Sequence, residues 1–450
     1  MTKKITSLVW ISKNIPDSLI EIIKEYKNAH KEQKLNLKFL ISSNATTRVP
    51  GVVLIDKEKL LKKILKKSKG EIPEDVLEFA LFSKGYLSRI KTIDTGTHRN
   101  AALLATVGEK ILFSDDDVLC KFKKIENNNR KLVINYSAES VKNSHFENKS
   151  ILELALNYPE NPNLVGILES HEKLLNSKAP DGYSELLATN TGVHGESTSD
   201  TPIHLLQKVY TQKDEEVYRA SKKNRLSLSY TENYVLTKKP HFVSIFSGLN
   251  NEKLLPPFFP IGRNQDGIFA STIMACLPHA LIGQIPWVVK HEPTPPRQYD
   301  DDEIHHWRFR IHSLVKALLD EYTLKNPIKD FTKKQNRYEE VGRYLESFAE
   351  ISNDDFTNVT HNFLKKNTDA LTLKLGKHLV LGGDYSQEWK KDVKLFLRNI
   401  QENKLSKNFG IPEELIDGER STEENIELTK ELIGTYGKLL RHWPEVAGLF

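Results

Sequence analysis

The chain has 450 residues, 38% of them hydrophobic and 28% charged, which is the composition of a folded protein and excludes a long disordered or low-complexity chain. Its net charge of +5, from 65 basic and 60 acidic residues, is too even to indicate a nucleic-acid-binding protein, so no nucleic-acid partner is expected. Two cysteines exclude a disulfide framework, and the lack of a signal-peptide pattern and of a run of about eighteen apolar residues predicts a cytoplasmic protein.

The first third of the chain alternates strand-like and helix-like segments. Residues 5–12 (ITSLVWIS) predict a buried strand, and Pro16 can begin a helix whose apolar stripe runs through residues 19–26. This alternation predicts an α/β fold with a Rossmann-like, mostly parallel central sheet and helices on its faces. The next predicted elements are strands at 35–42, 86–93 and 110–113 and a helix at 98–106.

One early segment is strongly basic. Residues 57–69 contain seven lysines, placed between Leu60, Leu61, Ile64 and Leu65. The apolar spacing predicts an amphipathic helix with the lysines on its solvated face. A surface that attracts anionic lipid or phosphate is the alternative, so the sequence leaves a peripheral contact with a membrane open.

The remainder of the chain is predicted to fall into two parts. Residues 137–235 are polar and predict a long insertion, in which residues 189–200 (TNTGVHGESTSD) have the composition of a mobile loop. Residues 291–296 (HEPTPP) predict a linker, and the chain beyond them is charged and helical in pattern. We therefore expect an α/β domain over residues 1–299 and a mainly helical domain over residues 300–450. Before the linker, strands are predicted at 234–237, 241–248 and 286–290 and a helix within 262–277.

The strongest functional signal is the stretch 108–118 (GEKILFSDDDV), where a short apolar strand ends directly in Asp115, Asp116 and Asp117. Open α/β sheets bind ligands at the carboxyl ends of strands, and adjacent carboxylates repel one another unless a cation neutralises them. Mg²⁺ and Mn²⁺ prefer carboxylates combined with phosphate oxygens. The pattern favours a divalent-cation site, and a solvated acidic turn is the alternative for the three aspartates alone.

A second motif lies just upstream, where residues 96–105 read GTHRNAALLA. Together the two motifs resemble the GT-A glycosyltransferases, in particular the large inverting family with an Arg-Asn-x-(Ala/Gly) helix, a glycine, a strand and an Asp-x-Asp motif. The resemblance covers residues 5–120 and, more loosely, 240–292. It implies a GT-A domain that transfers a sugar from a nucleotide-sugar donor, with UDP favoured as the nucleotide, Mn²⁺ or Mg²⁺ as the cofactor and inversion at the sugar. The matching residues are Arg99, Asn100, Ala101, Gly108 and Asp115 to Asp117.

The resemblance also implies roles for single residues. Asp117 would contact the metal most directly, Asp115 would contact the metal or the donor ribose, and Asp116 could take part in either contact. Arg99 would face the nucleotide or its diphosphate, with a helix-surface ion pair as the alternative. Asn100 would also contact the donor, with a structural contact at the start of the helix as the alternative.

Two loops at the start of the chain are implied to contact the donor. The loops after the first two strands meet the nucleobase in this fold, which makes Ser12 and Ser43 candidate donor contacts. Many family members have an aspartate in the second of these loops. Here residues 42–44 read SSN, so the identity of the base stays undetermined.

Two late residues complete the implied site. Inverting GT-A enzymes place an acidic residue at the head of a late helix, where it deprotonates the acceptor hydroxyl, and Asp266 in the stretch 262–269 (GRNQDGIF) matches it. Helix capping is the alternative role for this aspartate. His291, which follows a predicted strand, matches a late histidine that completes the metal shell in several GT-A enzymes.

The sequence thus predicts a hexosyltransferase-like enzyme, and it specifies neither the acceptor (a glycan, a lipid-linked molecule or a peptide) nor the oligomeric state. A sugar-phosphate nucleotidyltransferase is the nearest alternative, but residues 12–16 (SKNIP) lack the glycine-rich phosphate loop that usually follows the first strand of such enzymes. A nucleotide-sugar-binding protein without catalytic function is the other alternative. The combination of Arg99, the three aspartates and Asp266 argues against it.

Overall fold

The computed structural model describes the chain except residues 1–2, 91, 126–132, 135–141, 146–158, 160–161, 198–205, 207–213, 301, 329–335 and 381–383. Its strands are β1 (Ile5–Ile11), β2 (Lys38–Ser42), β3 (Val53–Ile55), β4 (Lys110–Asp115), β5 (Val118–Lys124), β6 (Val133–Ile134), β7 (Lys142–His145), β8 (Glu185–Glu196), β9 (Leu226–Tyr230), β10 (Val235–Thr237), β11 (Phe246–Asn250) and β12 (Ala280–His291). Its α-helices are α1 (Asp17–Glu32), α2 (Lys57–Ser68), α3 (Glu74–Phe82), α4 (Thr95–Ala105), α5 (Leu164–Leu175), α6 (Glu215–Lys223), α7 (Gln265–Cys276), α8 (Ile311–Lys325), α9 (Tyr338–Glu350), α10 (Asn353–Val380), α11 (Gln387–Lys404) and α12 (Thr422–Gly448).

The first four strands form the parallel part of the sheet, in the order β3-β2-β1-β4. The apolar run of β1 is buried on both faces, because Val9 and Ile11 enter one hydrophobic core and Leu8 and Trp10 enter the other. α1 packs in the core of Leu8 and Trp10, whereas α2, α3 and α4 pack in the core of Val9 and Ile11. The predicted α/β fold class is confirmed.

The rest of the sheet is largely antiparallel. β4 pairs antiparallel with β11, β11 pairs antiparallel with β8, and β8 runs parallel to β12. The long strand β12 pairs antiparallel along its other edge with β10 near its start and with β5 near its end. The sheet is therefore mixed, whereas the sequence predicts a mostly parallel one, because apolar runs do not specify strand direction.

The strand predicted at residues 86–93 is wrong. Residues 84–89 form turns that fold back on α3, where the Tyr86 N–H donates to the carbonyl oxygen of Ser83 and the Tyr86 ring packs on Phe79 with ring centres 5.2 Å apart. The short strand β3 takes the outer position of the parallel part instead. Apolar and aromatic residues at this point therefore serve helix packing rather than strand pairing.

The mobile loop predicted at residues 189–200 is also wrong, since its residues up to Glu196 belong to β8. This strand lies between β11 and β12 in the middle of the sheet, and its polar residues Thr189, Asn190 and His194 are buried. Backbone pairing on both edges satisfies its N–H and C=O groups, so polar side chains do not prevent the strand. The segment at about 137–235, predicted as an insertion, supplies a central strand.

Beyond β12, the described residues are helical and contain no strand, which confirms the predicted helical C-terminal region. α8, α9 and α12 pack on the face of the sheet that α2, α3 and α4 cover, and they share its hydrophobic core. Buried Leu314, Leu345 and Leu439 belong to the same apolar cluster as Phe113 of β4. The helices after residue 300 are thus part of the packing that supports the sheet.

Candidate active site at the carboxyl edge of the sheet

β1 and β4 are neighbours, and Ile11 lies opposite Asp115 where both strands end. The chain leaves β1 through α1 on one face of the sheet and enters β4 from α4 on the other face. Such a change of face opens a crevice between the carboxyl ends of two strands, where α/β proteins bind ligands. Ser12 follows β1, Asp115 ends β4, and Asp116 and Asp117 follow it, so these side chains meet at the crevice.

A cavity of about 710 Å³ opens at this edge, which is within the size range of small-molecule sites. Charged side chains of both signs surround it. The predicted site residues that line it are Ser12, Arg99, Asp115, Asp116, Asp117, Asp266 and His291. The basic side chains of the lining are Lys13, Arg99, Arg263, Arg297 and Lys316.

Asp115 is paired with Arg99 inside the cavity. Arg99 Nη2 donates to Asp115 Oδ1 at 2.9 Å, and Arg99 Nη1 donates to Gln265 Oε1 at 3.0 Å. Burial raises the pKa of Asp115 to about 7 despite the opposing charge of Arg99, and the neighbouring aspartates add to the rise. A further cation bound beside Asp115, in addition to the Arg99 guanidinium, would stabilise the ionised form of this carboxylate. Arg99 is only 8% exposed, so its ion pair belongs to the cavity rather than to a helix surface.

Asp116 is held by Ser12. The Ser12 hydroxyl donates to the Asp116 carboxylate, which links the loop after β1 to the turn after β4. Burial and the charge of Asp117 raise the pKa of Asp116. Ser12 therefore contributes to the cavity by orienting an acidic residue as well as by lining it.

Asp117 contacts His291, the last residue of β12. His291 Nδ1 lies 2.7 Å from the carbonyl oxygen of Glu196, and Nε2 lies 3.0 Å from Asp117 Oδ1. Burial disfavours the imidazolium, but the charge of Asp117 and the hydrogen bond to it raise the pKa of His291 overall. Burial opposes ionisation of Asp117 as well, but His291 and Arg297 lower its pKa overall.

The donor set of Asp117 and His291 fits a divalent cation. Without a cation, the His291 ring donates from Nδ1 to the Glu196 carbonyl oxygen and from Nε2 to Asp117; a divalent cation would replace the Nε2 proton and take both Nε2 and Oδ1 as ligands. The 3.0 Å between Nε2 and Oδ1 is a hydrogen-bond distance, and it is also roughly the separation of neighbouring ligands in an octahedron with bonds of about 2.1 Å. The described residues contain no group of three His, Cys, Asp or Glu side chains that could hold a metal by themselves. Water or the phosphate oxygens of a bound ligand would have to supply the other ligands, as is usual for Mg²⁺.

Arg297 and Glu196 also contact this pair of residues, Arg297 through Asp117 and Glu196 through His291. Arg297 Nη2 donates to Asp117 Oδ2 at 2.8 Å, and the Arg297 backbone N–H donates to both Glu196 carboxylate oxygens at 3.1 Å. The parallel pairing of β8 with β12 places Gly195 beside His291, which brings these residues together. No local pattern marks either one, because the contact depends on this pairing.

The helical region after residue 300 also reaches the cavity. His312 and Lys316, both on α8, are part of its lining. Lys316 Nζ donates to Asp320 Oδ2 at 2.6 Å and to Ser271 Oγ at 3.2 Å. The cavity is therefore built from both sides of the predicted domain boundary.

Asp266 is the second residue of α7, and its side chain lines the cavity. Its Oδ1 accepts the N–H of Gly267 at 2.9 Å and its Oδ2 accepts the N–H of Ser244 at 3.3 Å. The N-cap position belongs to Asn264, whose side chain makes no capping hydrogen bond. Asp266 thus faces the same space as the three aspartates while it stabilises the first turn of its helix.

Two predicted donor contacts lie outside the cavity lining. Asn100 is fully buried, and its Nδ2 donates to the carbonyl oxygens of Ala80 and Phe258 at 3.1 and 3.0 Å, while its Oδ1 accepts the N–H of Phe258 at 2.7 Å. Asn100 thus makes structural contacts, but it makes them from the middle of α4 to other segments, not at the start of the helix as the alternative expected. Ser43 lines a second cavity of about 760 Å³, and its hydroxyl donates to the Lys13 carbonyl oxygen at 3.1 Å.

No protein-family model, curated protein or solved structure matches the chain. The cavity and its side chains are therefore the basis for assigning a function.

Proposed function

We propose that the chain is a divalent-cation-dependent glycosyltransferase, which transfers a sugar from a nucleotide-sugar donor, with a UDP-sugar favoured, to an acceptor hydroxyl with inversion. The observation that carries the proposal is the cavity that unites the aspartates after β4 with His291 and Asp266. The motif that resembles GT-A enzymes supplies the aspartates and Arg99. Residues far from that motif supply the rest.

Each group of side chains has a distinct part in the proposed reaction. Asp117 and His291 would hold the cation, which when bound neutralises charge on the donor diphosphate. Arg99 is one of five basic side chains of the lining that can orient the diphosphate through charge-assisted hydrogen bonds. Asp266 would remove the acceptor proton as the acceptor oxygen attacks the anomeric carbon from the side opposite the diphosphate.

The proposal is tested by incubating the purified protein with a panel of nucleotide sugars and Mn²⁺ and measuring release of the nucleoside diphosphate. We expect release from a preferred donor, and loss of release when a chelator is added. Asp117→Asn should lower the rate by roughly 100-fold or more, because a metal contributes several kcal/mol of charge stabilisation.

Glu109→Gln is the matched control, because Glu109 precedes β4 at its other end, where it accepts hydrogen bonds from Thr6 and Ser7. This variant should keep the wild-type rate. An Asp117→Asn rate close to that of wild type, or a wild-type rate that the chelator leaves unchanged, would exclude the proposed metal site. Release of pyrophosphate from a nucleoside triphosphate and a sugar phosphate would assign the nucleotidyltransferase reaction instead.

A further inference from the structure

The net positive charge of the chain lies on helix α2 and on Lys69, which follows it. Residues 57–69 contain seven lysines and one glutamate, a net charge of +6, against +5 for the whole chain. All other residues together therefore carry a net charge of −1. A positive charge confined to one helix produces a strong local potential on a molecule that is otherwise nearly neutral.

The structure exposes this charge on one side of the helix. Leu61 and Ile64 are buried against the core, so the opposite side of α2 faces solvent. Twelve helical residues span about 18 Å, and clusters of four to eight basic residues of this kind bind anionic lipid headgroups. The exposed lysines, called the lysine surface below, are Lys59, Lys62, Lys63, Lys66, Lys67 and Lys69.

Little of this charge is neutralised by the protein itself. Lys59 pairs with Asp56 at 3.0 Å at the start of the helix. Lys62, Lys66 and Lys69 form no ion pair with a carboxylate in the part of the chain that the structure describes. Charges without partners keep their full attraction for an external anionic surface.

Apolar side chains border the lysine surface. Leu449 and Phe450, which follow α12, are both half-buried. Lys63 Nζ lies 4.0 Å from the centre of the Phe450 ring, and the Lys67 ammonium donates to the carbonyl oxygen of Leu449. Lysines with an aromatic and an aliphatic side chain beside them match the boundary between lipid headgroups and acyl chains.

We propose that the lysine surface docks the protein on a membrane that contains anionic lipid. The surface contains no arginine, the side chain that binds phosphates bidentately in nucleic-acid sites, so a bilayer fits its chemistry better than a nucleic acid. Among the described residues, no helix is long and apolar enough to cross a membrane. The docking does not depend on the proposed enzymatic function.

Co-sedimentation with vesicles tests the docking. The full-length protein is mixed with vesicles of phosphatidylcholine alone or of phosphatidylcholine with about one third phosphatidylserine, at low and high salt. We expect binding to the anionic vesicles that weakens at high salt, because screening acts on exposed charges. Lys62→Gln, Lys66→Gln and Lys69→Gln combined should weaken binding by roughly 100-fold, since each lysine near an anionic surface contributes about a fivefold gain.

The matched control combines Lys365→Gln, Lys366→Gln and Lys374→Gln, which removes the same charge from exposed positions of α10. It should bind within about twofold of wild type, and the melting temperatures of both triple variants should match wild type. Equal losses in the two variants, equal binding to neutral vesicles, or no binding to anionic vesicles would each overturn the proposal. So would tighter binding to a short DNA duplex than to vesicles, if that binding depended on the same three lysines.

Discussion

At the scale of single residues, Asp266 differs from Asp115 and Asp117, the two carboxylates of the cavity that form ion pairs. Asp115 is paired with Arg99, and Asp117 contacts both His291 and Arg297. Asp266 accepts two backbone N–H groups and forms no ion pair with a residue that the structure describes. Asp266 therefore faces the cavity, where an acceptor hydroxyl would bind, without a fixed cation on its carboxylate.

We therefore expect Asp266→Asn to lower kcat on the order of 10²–10⁴-fold, because the base is lost while the side-chain shape is retained. Donor binding should be unchanged, since Asp117, His291 and Arg99 are intact. Steady-state kinetics with a donor and an accepted acceptor, together with donor titration by calorimetry, measure both quantities.

Asp75→Asn is the control for this prediction, because Asp75 is likewise the second residue of its helix, α3, and is exposed. It should leave kcat unchanged and alter stability as little as Asp266→Asn does. If Asp266→Asn instead lost donor binding and melted early while kcat per folded molecule was retained, Asp266 would have a structural role only.

At the scale of elements, α9 and α12 approach each other closely at a pair of glycines, Gly342 and Gly437. A Cβ atom added to Gly437 would lie 2.6 Å from the Gly342 carbonyl oxygen and 2.9 Å from the Glu346 backbone nitrogen. A Cβ atom on Gly342 would in turn lie 2.6 Å from the Gly437 carbonyl oxygen. The two backbones approach so closely because neither residue has a side chain.

Gly437→Ala should destabilise the protein by about 1–3 kcal/mol, because the new methyl group meets backbone atoms that cannot move aside. Gly376→Ala in α10 is the matched control, since a Cβ atom there meets nothing within 4 Å. It should be neutral or stabilising by up to about 1 kcal/mol, as alanine favours helix. Chemical denaturation of both variants measures the difference. Equal stability of the two would show that α9 and α12 separate readily.

At the scale of the whole molecule, buried histidines are expected to limit stability in acid. His171 on α5 is fully buried, with Nδ1 2.7 Å from Thr189 Oγ1 of β8. Burial lowers the pKa of His171 to about 3, and burial is also the largest cause that lowers the pKa of His98 to about 3. In the unfolded chain a histidine has a pKa near 6.5.

Between pH 6.5 and pH 3 the unfolded state therefore binds a proton at each of these histidines that the folded state does not bind. Stability is lost as the pH falls through this window, by about 1.4 kcal/mol per pH unit for each histidine. Replacing one of these histidines should reduce the loss of stability that accompanies the fall in pH, even if the variant is less stable than wild type at neutral pH.

Thermal melting of His171→Gln at pH 6.5 and pH 5.0 tests this expectation. The drop in Tm between the two pH values should be smaller in His171→Gln than in wild type. His306→Gln, which alters an exposed histidine, should show the same drop as wild type. The same drop in all three proteins would mean that His171 does not remain neutral in the folded protein.

Local patterns in the sequence were sufficient for several features of this protein. The apolar run before Asp115, the amphipathic spacing of residues 57–69 and the helical pattern after residue 300 each correspond to an element of the structure. Such features depend on residues close together in the chain, where period and composition carry the information. The segments 96–105 and 108–118, through their resemblance to GT-A enzymes, also indicated Arg99 and the three aspartates, which line the cavity.

The tertiary structure alone decided which residues complete the cavity. The polar sequence of β8 predicts a loop, but its pairing with β11 and β12 makes it a central strand. That pairing brings Glu196 close to Arg297 and His291. Asn100, which was expected to contact a ligand, is instead buried and hydrogen-bonds to Phe258. Strand pairing and side-chain partners come from segments far apart in the chain, and a single sequence contains no local pattern that specifies them.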